Sequence, residues 1–187
     1  MCFGRAAIAL LAAGVTCAAL LPAAEPESVP EPGSYWTGPI NSAVPATLHG
    51  GQVIHARALS RLIEHGDVVV VDVSNLQPRP AGLSPDVLWT VPPHLGIPGS
   101  HWIPGVGLGE LPQPLDEHFR RELGALTGER PDRPVAIYCH ERCWLSWNAA
   151  KRAVGYGYRR IFWFPDGIEG WRAAGFATAA ISATPGP

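Results

Sequence analysis

Two cysteines four positions apart, Cys139 and Cys143, carry the most reactive chemistry in the sequence. They frame the run Cys139-His140-Glu141-Arg142-Cys143-Trp144-Leu145. An apolar stretch, Val135 to Tyr138, precedes it, and a helix-like pattern, Leu145 to Val154, follows. A thiol between a strand and a helix stands where the N–H groups of a curled loop and of a helix N-terminus converge, and those dipoles favour an anion. They lower the thiol pKa and so make a nucleophile. Arg142 is a candidate to add positive charge, and His140, Glu141, Trp144 and Leu145 complete an anion-binding loop. Four residues of helix rise about 6 Å, within the Cα separation of about 4.4–6.8 Å that a disulfide accepts. Closing so short a loop would stabilise the fold by only about 2 kcal/mol. Placement between strand and helix favours chemistry over a staple, with a redox pair, a persulfide carrier and a plain disulfide all open.

Three other chemistries fit the spacing poorly. A cysteine phosphatase needs Arg six positions after the nucleophile to grip phosphate in bidentate fashion, and that position is Leu145. A c-type haem site needs His directly after the second Cys, and that position is Trp144. A structural zinc site needs two further ligands. No second Cys/His pair is visible, so no metal is assigned, although His94 and His101 are within the same chain.

The compartment bears on the cysteines. Arg5 precedes an apolar run, Ala6 to Leu21, broken only by Gly14 and Thr16, and Pro22-Ala23-Ala24 supplies small residues before Glu25. That layout predicts a secretory signal peptide over residues 1–24, and hence a periplasmic mature protein with no stable membrane span. Cys2 and Cys17 leave with it, so Cys139 and Cys143 meet oxidising conditions alone. The 187 residues suit one domain. Hydrophobic residues at 47% allow a core, and a net charge of −2 excludes the basic face that nucleic-acid binding needs.

Residues 25–51 are rich in Pro, Gly and Ser and read as an extended lead-in anchored by Tyr35 and Trp36. From 52 to 181 strands and helices alternate. Strands are expected at Gln52–Ile54, Val68–Val73, Val135–Tyr138 and Ile161–Phe164. Helices are expected at Ala56–His65, Leu115–Leu126 with Leu115, Phe119, Leu123 and Leu126 inward, Leu145–Val154, and Ile168–Ala174. Ser74 to Glu110, with seven prolines, reads as loop, and the chain from Ser182 as a frayed end. Alternation of this kind gives a three-layer α/β/α domain on a central parallel sheet. The reactive site then lies beyond the carboxyl ends of the strands, where Cys139 falls.

The residues now on the page resemble a known family. Asp72 closing a Val-rich strand, Ile97-Pro98-Gly99-Ser100-His101-Trp102-Ile103-Pro104, Tyr138-Cys139 with its six-residue loop, Gly157-Tyr158-Arg159-Arg160-Ile161, and Asp166-Gly167-Ile168-Glu169-Gly170-Trp171 are similar to the corresponding segments of rhodanese-like domains. Within that family, Cys143-Trp144 through Arg152, Pro45-Ala46-Thr47-Leu48, and Trp163 to Gly167 resemble the bacterial CxxxCW proteins named for association with PQQ-dependent catabolism. The resemblance implies an exported partner of quinoprotein alcohol oxidation. A quinoprotein alcohol dehydrogenase or a cytochrome c is the implied partner, and PQQ is met only through that partner. Sulfurtransferase-like or thiol–disulfide activity is the implied chemistry. The other reading is a non-enzymatic accessory module with a structural Cys139–Cys143 disulfide, docking through the Pro-rich stretch. Ser74, Arg142, Cys143 and Trp144 depart from ordinary rhodaneses, narrow the pocket and add a resolving thiol, which argues against thiosulfate sulfurtransferase activity.

Four residues are expected to support the loop without doing chemistry. Asp72 is expected to order the loops through backbone N–H bonds, and Asn148 to bond the loop backbone. Trp147 is expected to pack beneath the loop, and His101 to line the cleft. Lys151 and Arg152 read as a solvated helix face, and Trp102, Trp163 and Trp171 as core aromatics.

Overall fold

In the computed structural model, which describes Met1, residues 28–66 and residues 68–187, the apolar runs become the centre of a parallel sheet. Its strands are β1 (Gln52–Val53), β2 (Val69–Asp72), β4 (His101–Trp102), β5 (Val135–Tyr138) and β6 (Ile161–Phe164), in the order β1-β6-β5-β2-β4 with every pairing parallel. A separate antiparallel ribbon joins β3 (His94–Gly96) to β7 (Ala179–Ile181). The helices are α1 (Ala56–Glu64), α2 (Gln113–Thr127), α3 (Trp144–Gly155) and α4 (Gly167–Ala173).

Successive residues of a strand face opposite sides, and helices cover both sides here, so both sets must be apolar. Val69, Val71, Val135, Ile137, Ile161 and Trp163 pack with Phe119 and Leu123 of α2 and with Trp147, Ala149, Ala150 and Ala153 of α3. Val70, Ala136, Tyr138 and Phe164 pack with Leu59 of α1 and with Ile168 and Trp171 of α4. The three-layer α/β/α architecture follows from that alternation.

Element bounds differ from the expectation by a residue or two. α2 opens at Gln113, with Pro114 in its first turn, and closes on Gly128 in the left-handed conformation (φ 63°). Its Leu115 and Leu126 are half-buried, while His118 and Thr127 join Phe119 and Leu123 inside. Two short strands lie inside the expected loop 74–110. β3 and β4 have three and two residues, with Pro98 and Gly99 between them, too few for a periodicity to register. The chain end is also ordered past Ser182: Ala183 bridges to Trp102, and the Thr184 N–H donates to the Trp102 carbonyl at 2.8 Å. Pairing with a segment about 80 residues earlier, invisible to local pattern, holds that end. The expected signal peptide, residues 1–24, and the first residues of the lead-in lie outside the described residues. No helix among the described residues is long and apolar enough to cross a membrane.

From Ser28 onward the lead-in is built into the body. Glu31 accepts the Thr47 hydroxyl at 2.9 Å and the His49 N–H at 2.7 Å, closing the segment on itself. Trp36 stacks on Trp144 with ring centroids 4.4 Å apart and 13° between planes. Its backbone exchanges two hydrogen bonds with the Asn148 carboxamide, at 2.9 and 3.0 Å. Tyr35 is exposed and lies over the Arg152 guanidinium. Arg152 is thereby corrected from a solvated residue to a buried one, 3% exposed, donating to the Gly109 carbonyl at 2.8 Å. Lys151 reaches the Pro32 carbonyl at 3.3 Å. These contacts predict that Trp36→Ala, which deletes a half-buried stacked ring, lowers stability by about 2 kcal/mol in urea unfolding followed by circular dichroism.

Candidate functional site

The site is set by strand register. Asp72, Tyr138 and Phe164 pair side by side at the carboxyl ends of β2, β5 and β6. The segments that follow them, Val73-Ser74, Cys139-His140 and Pro165 to Gly167, therefore emerge together at the crest. The Val73 N–H donates to the Tyr138 carbonyl at 3.0 Å, and the Ile168 N–H to the Cys139 carbonyl at 3.0 Å. Gly167 has φ 59°, and a methyl group on it would overlap the His140 carbonyl carbon, the Glu141 nitrogen and the Cys139 oxygen. Only glycine meets both demands at that position.

Cys139 leaves β5 and is 1% exposed, with the Ser74 side chain and the His140 amide near enough to favour its anionic form. Cys143 is the N-cap residue of α3, with extended backbone (φ −110°, ψ 116°) and 2% exposure. Its sulfur makes no cap hydrogen bond to the helix, but the Leu145 and His140 amides are near enough to favour a thiolate there. The two sulfurs are 2.6 Å apart. Both border an open cleft of about 250 Å³ whose other walls are Ile40, Asn41, His140, Leu145 and the segment 75–78.

The pair divides its acidity unequally. The hydrogen bond from Cys139 is the main cause that brings the Cys143 thiol down to about 7; burial opposes it, and the Leu145 and His140 amides assist. Cys139 is pushed well above the ordinary thiol value, first by its hydrogen bond to Cys143 and then by burial. The downward shift falls on the sulfur at the helix N-terminus, and the upward one on the sulfur at the end of β5.

The loop amides are not all free for sulfur. The Trp144 N–H donates to the Ile40 carbonyl at 2.9 Å and the Arg142 carbonyl accepts from Ser42 at 3.1 Å, so the lead-in pairs with the loop on either side of Cys143. Arg142 has φ 54° and an exposed side chain that lines a different cavity, of about 310 Å³, with Val44, Pro45, His55 and Asp166. It lines that cavity and not the cleft of the two sulfurs.

Glu169 of α4 holds the loop from the far side. Its carboxylate takes the His140 Nδ1 at 2.9 Å and the Glu141 N–H at 2.9 Å. Burial pushes its pKa up, but those bonds outweigh burial and leave it below the ordinary value. Neither Glu169 nor Ser74 stood out as a site residue in the sequence. An acid three residues after Asp166 in the first turn of a helix was the one available signal for Glu169, and for Ser74 there was only its departure from the family pattern.

Among the supporting residues, Asp72 is 1% exposed and accepts the Ser74 N–H at 2.8 Å, with His94 Nε2 2.8 Å from its other oxygen. Trp102 donates to the Ser74 carbonyl at 2.6 Å and stacks under His94. Tyr138, its hydroxyl accepting the Ile97 N–H, has its pKa pushed up chiefly by burial. Trp144 is buried and donates to Ser42 and Ala43 in the lead-in, and Trp147 donates to the Thr47 carbonyl. Asn148 bonds the backbone of Trp36 and Gly107 instead of the cysteine loop, because helix geometry turns it toward the lead-in. His101 is exposed on the edge strand β4 and does not line the cleft. Among the described residues no three His, Cys, Asp or Glu side chains are grouped to hold a metal.

A family model described as a rhodanese-like domain matches residues 55–174. Among solved structures, the chain is similar to a thiosulfate sulfurtransferase from Pseudomonas aeruginosa at 16% identity and TM-score 0.50, covering 72% of this chain and 21% of that one. It is similar to the rhodanese-like domain of an Anabaena sp. protein at 17% identity and TM-score 0.45, covering 72% and 84%. It is also similar to the 30 kDa polysulfide-sulfur transferase homodimer from Wolinella succinogenes at 17% identity and TM-score 0.44, covering 72% and 82%. This chain thus spans about a fifth of the length of the first of these. No curated protein matches.

Two outcomes follow from the geometry. In reduced protein, alkylation of Cys143 by iodoacetamide rises with pH around a midpoint near 7, whereas Cys139 stays unmodified until well above the ordinary thiol range, as peptide mapping by mass spectrometry would show. Gly167→Ala costs roughly 1–2 kcal/mol for the left-handed backbone alone. It also moves the loop, so thermal stability and the Cys143 alkylation midpoint both shift.

Proposed function

This chain belongs to the rhodanese-like domain family, and from that premise we propose that it is an exported, periplasmic dithiol protein that exchanges disulfides through Cys143 and Cys139. The observation that carries the proposal is the Cys143 sulfur, at the N-cap position of α3 and 2.6 Å from the Cys139 sulfur in an open cleft. The Cys143 thiolate attacks one sulfur of a partner disulfide, and the other partner sulfur leaves and takes a proton. Cys139 then gives up its proton and attacks Cys143 in the mixed disulfide. The second partner thiol departs, the partner is reduced by two electrons, and Cys139–Cys143 is oxidised.

Two features favour this exchange over sulfur transfer from thiosulfate. A sulfur bonded to Cys139 would lie about 2.05 Å from it, in space beside the Cys143 sulfur, which already stands 2.6 Å away. Among the described residues no Arg or Lys lines the cleft to receive a dianion. The context we propose is PQQ-dependent alcohol catabolism, beside a quinoprotein dehydrogenase or a cytochrome c. Support comes from the likeness of Cys143 to Arg152, Pro45 to Leu48 and Trp163 to Gly167 to the CxxxCW group. PQQ would be bound by the partner.

The depth of both sulfurs favours one other reading, an accessory module whose Cys139–Cys143 disulfide is structural. Mass measurement of protein purified without reductant, followed by insulin-disulfide reduction and thiosulfate:cyanide assays, separates the two. Exchange predicts dithiol-dependent reduction lost in Cys143→Ser and Cys139→Ser, with weak or absent thiosulfate activity. A disulfide that resists reduction, with both variants losing stability and neither form reducing insulin, would establish the structural role.

A further inference from the structure

The dithiol needs a group that takes a proton when a thiol attacks and returns it when a partner sulfur leaves. His140 lines the same cleft as both sulfurs and its ring is about half exposed. The Glu169 carboxylate beside it is ionised and can only accept, so Nδ1 at 2.9 Å must be the donor. That fixes the tautomer and leaves Nε2 as the exchangeable nitrogen. No hydrogen bond engages that nitrogen among the described residues. The second Glu169 oxygen takes the Glu141 N–H, so one carboxylate fixes both the ring and the backbone that carries it. The His140 N–H is also near enough to both sulfurs to favour their anionic forms.

We propose that His140 is the proton carrier of the Cys139–Cys143 pair and that Glu169 is the positioning residue that holds its ring for that task. In the forward step the Cys139 proton passes to His140 Nε2 as that sulfur attacks the mixed disulfide. The same proton then passes to the partner sulfur that leaves, so His140 ends as it began and the site gives up the one proton that Cys139 held. Among the described residues, the charged and titratable groups around the ring are few. Glu169 bonds it from α4, and Cys143 and Cys139 line the same cleft. Glu141 is its chain neighbour, Asp72 stands behind Ser74 at the end of β2, and Arg142 points to the other cavity.

The use of the carrier rests on the exchange reading above, but its test does not. The pH profile of iodoacetamide alkylation at Cys143 is measured on reduced full-length protein as wild type, Glu169→Gln, His140→Gln and the double variant. We expect each single variant to alkylate about tenfold more slowly at pH 6.5, as a one-unit rise in the thiol midpoint gives, with the limiting rate at high pH kept. We expect the double variant to match His140→Gln, since Glu169 acts through His140. Unchanged midpoints in both single variants overturn the proposal. So does an effect of Glu169→Gln that is as large without His140 as with it, because the carboxylate would then act only on the loop backbone. Absence of disulfide exchange in the wild type, with the alkylation shifts as expected, would remove the redox reading and leave the His140–Glu169 pairing standing.

Discussion

Cys143 stands at a helix position that usually holds Ser, Thr, Asp or Asn. Its sulfur makes no cap hydrogen bond, but it lies beside the first turn of α3. The first N–H groups of a helix have no partner within the helix and carry partial positive charge, so an anionic sulfur beside them is stabilised. Cys139, one loop away at the end of β5, supplies the hydrogen bond that the Cys143 sulfur does make. The rest of the crest is arranged to keep that sulfur pair in place.

Three elements converge on it. The lead-in pairs with the loop on both sides of Cys143 and packs Trp36 against Trp144. α4 offers Glu169 to His140 and Glu141, while Gly167 admits the loop backbone at a distance that forbids any side chain. β2 sends Asp72 and Ser74 under Cys139, and His94 compensates the buried carboxylate. A buried polar group is costly unless it is bonded, and each of these is. The result is a rigid loop on regular elements, which suits a site whose reacting atoms must stay within a narrow geometry.

The second sulfur also bears on the proposed chemistry. Family membership relates the fold to sulfurtransferases, but here a second sulfur of the protein itself stands 2.6 Å from Cys139. In the proposed reading the pair gives two electrons to a partner disulfide instead of holding a transferred sulfur. Both sulfurs are buried yet face a cleft with carboxamide and apolar walls. In the proposed reading, that cleft admits a slender sulfur-bearing segment and keeps bulk solvent away.

Local pattern determined much of this protein. The β-branched runs at Val69–Asp72 and Val135–Tyr138 could only be strands buried on both faces, and the helix periodicities between them forced a parallel sheet. Cys139 and Cys143 were legible as the chemical pair because the strand, loop and helix around them are contiguous in sequence. Tertiary structure decided how close the two sulfurs stand, 2.6 Å apart. It also directed Arg142 away from the site, and it brought Ser74 and Glu169 in from segments 65 residues before and 30 after Cys139. It ordered the tail past Ser182 by pairing Ala183 and Thr184 with Trp102. Hydrophobic period is a property of neighbours along the chain, whereas a hydrogen bond between distant segments exists only once the sheet has set their register. That is why the sequence could state the fold and the sulfur pair but not the surroundings that tune it.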